Sequence, residues 1–108
     1  AASIGATVEV RDSFRIPAAE LHDEATVLLA ESISAVLGES NCVEPIYTPG
    51  GEDFFFYTVE KPSLKAGFFG LGCNLRPGLH HPDMSFDTSA LENGVSIWLD
   101  LVKRLLGE

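Results

Sequence analysis

Two adjacent histidines, His80 and His81, stand between Leu79 and Pro82. Neutral imidazole is the commonest transition-metal ligand, and adjacent histidines point apart, so only one of the pair can serve a given ion. From spacing alone, loop histidines bonded to backbone or water are the more frequent case, and both readings stay open. Phe86-Asp87, Ala90-Leu91 and Gly94 follow and lead into a strongly apolar helix, so a packed element is expected directly behind the histidine loop.

Glu52-Asp53 after Gly50-Gly51 is the second candidate. Glycines permit a tight turn, and a helix N-terminus behind them offers free N–H groups to an anion. Plain capping explains the same residues, and two neighbouring carboxylates are not by themselves an acid/base pair. Cys73 with His80 and His81 lacks the partner ligands of a structural zinc site, because Cys42 lies in no short ligand motif; Cys73 is expected to pack as a small apolar residue. His22, beside a helix start, reads as a surface residue. No nucleophile elbow or phosphate-binding glycine loop is present, and Gly70-x-Gly72 after a strand is too weak to invoke one.

The elements that must position these residues alternate between helix and short apolar segments. Residues 1–4 read as the end of a helix stopped by Gly5, and residues 7–14 as a half-buried edge strand ended before Pro17. Asp23 is expected to cap a helix reaching Leu37 and closed by Gly38, with Ala25, Leu28, Leu29, Ile33, Val36 and Leu37 on one face. Residues 42–47 suit a short strand weakened by Pro45, followed by a turn at Pro49-Gly50-Gly51. Residues 52–60 suit helical turns or a strand, and the leading carboxylates favour the helix. Residues 64–73 read as a buried strand of a parallel sheet, and residues 74–82 as a loop stiffened by Pro77 and Pro82. The last helix spans 89–106, with a Ser89/Glu92 capping box, Asp87 and Thr88 as rival caps, and a stripe of Leu91, Val95, Trp98, Val102 and Leu105. The expected class is therefore α/β with mostly parallel strands, with a boundary near Pro17.

Composition narrows the partners. The 108 residues carry 16 Asp and Glu against 7 Lys and Arg, a net charge of −9, which disfavours nucleic acid and anionic membrane surfaces. No apolar run approaches the roughly 18 residues of a membrane span. Two cysteines are too few for a disulfide framework, so a reduced cytoplasmic setting is expected. The N-terminus has no charged region and no starting Met; it is not a signal peptide and reads as a cut inside a longer chain.

Taken together and in order, Gly50-Gly51-Glu52-Asp53-Phe54, Leu71-Gly72, Leu79-His80-x-Pro82 and Phe86-Asp87-x-x-Ala90-Leu91-x-x-Gly94 resemble the C-terminal end of metal-dependent amidohydrolases and exopeptidases. The nearest branch holds aminoacylase-like enzymes, hippurate hydrolases and auxin-conjugate hydrolases. The resemblance implies that His80 is the last ligand of a two-metal site (Zn, Mn or Co). It also implies that Glu52 and Asp53 lie near the metals or in the substrate pocket; His81, at a position that varies, is grouped with them and given no metal. Residues 1–16 would be the tail of a lid and dimerisation domain, its last strand included, and residues 17–108 the returning part of a catalytic domain. A small acyl-amino-acid or peptide substrate is implied. A lid strand without its sheet would leave an open edge that a second copy covers, so a homodimer is expected. The other metal ligands and the catalytic Glu of such enzymes are missing, so the chain alone is expected to be metal-free and inactive. The competing expectation is a non-catalytic interaction module on the same fold.

Overall fold

A computed structural model describes residues 2–11, 13–45, 47 and 50–107. Its helices are α1 (Asp23–Leu37), α2 (Phe56–Glu60) and α3 (Ala90–Leu106), with 3-10 turns at Ala2–Ile4, Glu39–Asn41 and Asp53–Phe55. The helical alternative for residues 52–60 is the one that forms.

Helix α1 has the expected extent, but its cap differs. His22, not Asp23, takes the cap position, with extended backbone (φ −89°, ψ 127°). Asp23 and Glu24 fall in the first turn, where carboxylates complement the helix dipole. The His22 carbonyl accepts both the N–H (2.9 Å) and the hydroxyl (3.1 Å) of Thr26. Gly38 stops the helix at φ 88° and donates its N–H to the Ser34 carbonyl.

The expected α/β architecture with mostly parallel strands does not form. Among the described residues there is no strand, and the one β-type pairing is an isolated antiparallel bridge between Arg76 and Ser85. A strand persists only against a neighbour that takes its N–H and C=O groups. Residues 64–73 have strand composition, yet their long-range backbone bonds go elsewhere: Ala66 accepts from the N–H of His22 and Cys73 from that of Asp87, each at 2.8 Å. The expected lid strand fares likewise, with Val8, Val10 and Phe14 all largely exposed. The expected strand at 42–47 is also absent from the described residues. Asp12, Ile46 and Pro49, which belong to these expected strands and turn, lie outside the described residues, as does Ala1.

Packing centres on α1 against α3. Leu29, Ala66, Ala90, Ile97 and Leu101 are buried, and Ser32 is wholly enclosed. The face of α3 that is buried holds Ala90, Gly94, Ile97 and Leu101, whereas the expected stripe from Leu91 to Leu105 stays about half exposed. Small side chains at 90 and 94 admit close contact, so the narrower face wins. Beside the wholly buried Ser32, Asp100 and Arg104 pair, and Arg104 reaches Glu31 at 3.4 Å. Arg104 holds the Asp100 carboxyl below its ordinary value.

The molecule is open. Its radius of gyration is 19.0 Å, against about 13 Å for a compact domain of this length. It exposes 9065 Å², against roughly 5,800 Å² from the area–mass relation for folded monomers. No helix among the described residues is long and apolar enough to cross a membrane.

Ile97 is 1% exposed and seals the helix pair. Ile97→Ala is expected to destabilise the fold by about 3 kcal/mol, read as a lower urea midpoint. An unchanged midpoint would mean that the α1–α3 contact does not hold the structure.

Candidate functional site

The histidines sit on a loop that is closed at its neck and anchored at its base. Arg76 and Ser85 exchange reciprocal backbone bonds of 2.9 and 2.8 Å, which pinch residues 76–85 into a loop. Below the neck, the Asp87 N–H donates to the Cys73 carbonyl, tying the descending arm to the extended segment. Asp87 also accepts at Oδ1 from the Ser89 hydroxyl (2.7 Å) and N–H (3.0 Å). That local turn delivers the chain into α3, and it replaces the expected capping box: Ser89 makes no side-chain cap, although the Glu92 N–H does reach the Ser89 carbonyl. Asn74 (φ 51°), just before the loop, and His80 (φ 64°), within it, adopt the left-handed conformation that L-residues seldom take.

His80 is exposed at the tip. His81 Nδ1 accepts the Asp83 N–H at 3.1 Å, with the Asp83 carboxylate 4.0 Å away. Glu52 precedes the 3-10 turn and Asp53 opens it, both exposed and neither capping with its side chain. Among the described residues no hydrogen bond or ion pair joins Glu52 or Asp53 to either histidine. The two histidines share the 76–85 loop, and the two carboxylates stand at the start of the Asp53–Phe55 turn.

His22, read from sequence as a surface residue, is instead half-buried, its Nδ1 enclosed without a hydrogen-bond partner. Its backbone bond to Ala66, with the Glu24–Lys65 ion pair beside it, fastens the extended segment to the start of α1. Lys65 holds the Glu24 carboxyl below its ordinary value. Neither role was legible, since nothing in the local sequence places residues 22–24 beside 65–66. Cys42 and Cys73 are free thiols, each half-buried.

A sequence model of Peptidase family M20/M25/M40 matches residues 2–104. The chain belongs to this family of metal-dependent peptidases. Comparison with curated proteins and with solved structures gave no match. The donor set can be tested against the metal that the family implies. A catalytic zinc-type centre takes about three protein ligands. Among the described residues no three His, Cys, Asp or Glu side chains converge in a way that could hold an ion. These residues offer single donors and do not form a metal centre.

Ser89 holds the Asp87 carboxyl below its ordinary value of 3.8. A depressed folded-state value stabilises the fold at pH above the ordinary value and is lost as pH falls through the folded one. Asp87→Asn keeps an acceptor but cannot titrate. It should flatten the acid limb of the stability curve below about pH 4, followed by helix circular dichroism. Identical acid limbs for wild type and variant would contradict the role of Asp87 as the hinge of the loop.

Proposed function

We propose that the chain is the C-terminal, ligand-bearing part of a two-metal amidohydrolase of the aminoacylase, hippurate hydrolase and auxin-conjugate hydrolase branch. Its reaction is hydrolysis of the amide bond of N-acyl amino acids or small peptides. The family match over residues 2–104 carries this reading. The geometry adds support, because His80 is presented outward on a loop closed at Arg76–Ser85 and anchored to α3.

In this reading His80 supplies one ligand, and Glu52 and Asp53 lie near the substrate. Residues 1–16 are the tail of the lid and dimerisation domain, and residues 17–108 belong to the catalytic domain of a cytoplasmic homodimer. One imidazole cannot hold two ions, so the remaining ligands and the catalytic Glu come from elsewhere in a longer polypeptide. The open shape supports that: the surface left uncovered is on the scale of a large interface. The same observation favours a second reading, a non-catalytic interaction module.

His80→Ala in the complete polypeptide separates the two. It should lower bound metal and N-acyl-amino-acid hydrolysis together, by more than the roughly 10–100-fold that loss of an outer partner costs. Wild-type metal content and activity in that variant would contradict the ligand assignment.

A further inference from the structure

We infer that the outer face of α3 is a self-association surface, on which a second copy of this chain lays the same helix antiparallel. Apolar residues cover more of α3 than one partner can bury. One face, with Ala90, Gly94, Ile97 and Leu101, is buried within the chain. The adjoining face, with Leu91, Val95, Trp98, Val102 and Leu105, is left about half exposed. Those five recur at alternating steps of four and three residues, the 3.5-residue period of a seam between two helices. They run about 21 Å along the axis. Leu99 and Leu106, both more than half exposed, widen the seam on the flank away from the buried face.

The charges say what covers it. Glu92 in the first turn and Lys103 in the last lie beyond Leu99 and Leu106 on that same flank. Among the described residues neither enters an ion pair, whereas Arg104 is taken by Asp100 and Glu31. Glu92 and Lys103 are about three helical turns apart, with their midpoint beside Trp98. A copy turned about a twofold axis at that midpoint sets Glu92 of each chain beside Lys103 of the other. A parallel copy would hold those charges about 16 Å apart along the axis. Each chain carries a net charge of −9, so the apolar seam holds the contact and the two ion pairs set its direction. The area suffices. The chain exposes roughly 3,000 Å² more than a closed monomer of its mass, and a standard interface takes about 800 Å² from each partner. This face is separate from the proposed lid tail at residues 1–16, and its occupation does not depend on the ligand reading of His80.

The test follows the mass of the 108-residue chain by sedimentation equilibrium, with helix circular dichroism as the check on folding. The wild-type chain should be a dimer at about 50 µM, and Val95→Glu combined with Val102→Glu should weaken association at least about 100-fold at unchanged helix content. Glu92→Lys and Lys103→Glu should each weaken it about tenfold at low salt. An equimolar mixture of those two variants should regain wild-type affinity, because each chain then meets its opposite sign. A monomeric wild-type chain would overturn the inference and leave the face to another part of a longer polypeptide. So would a Val95→Glu, Val102→Glu chain that still dimerises. A mixture no tighter than its separate components would overturn it too, and that comparison decides even where the glutamate variant loses helix.

Discussion

The extended segment of residues 64–73 comes close against both long helices at two positions that carry no side chain. A Cβ at Gly67 would stand 2.6 Å from Leu29 Cδ1, and one at Gly94 would stand 3.1 Å from Leu71 Cδ2. Those two close approaches bring the segment onto α1 at one end and α3 at the other. Phe69 meets Trp98 with ring centroids 5.5 Å apart, and Phe68 joins Phe54 and Phe55 in a second aromatic group. The segment ends at Cys73, whose carbonyl receives Asp87, and Asp87 hands the chain to α3. The histidine loop is thus anchored where this segment ends, at the bond from Asp87 to Cys73.

What the segment does not have is a strand on either side. Its backbone bonds to His22 and Asp87 fix its ends, and among the described residues 67–72 make no backbone hydrogen bonds. The apolar stripe of α3, from Leu91 to Leu105, is left about half exposed in the same way. Hydrophobic surface on this scale is seldom left to water in a finished fold. The openness of the molecule and the single-donor character of its loop point the same way, toward completion by other parts of a metallopeptidase.

The local features of the chain were legible in its sequence, and the non-local ones were not. The spacing of apolar residues and the glycine at 38 locate α1, because period and capping are properties of neighbouring residues. The apolar run at 64–73 has the composition of a parallel strand, but composition reports suitability for a sheet and says nothing of whether a neighbour is there. The buried face of α3 differs from its apolar stripe for a related reason. The stripe holds the large residues, yet the small Ala90 and Gly94 decide which side can approach. At the site, the doublet of histidines before Pro82 stood out at once. The bond from Asp83 to His81 and the turn at Asp87–Ser89 depend on backbone angles that residue types alone do not specify.

The most direct measurement is the intact mass of the protein isolated from its native source. A two-metal hydrolase to which this chain contributes a single ligand predicts a product several-fold heavier than 11.6 kDa. A native product of 11.6 kDa would contradict it and leave an interaction module in its place.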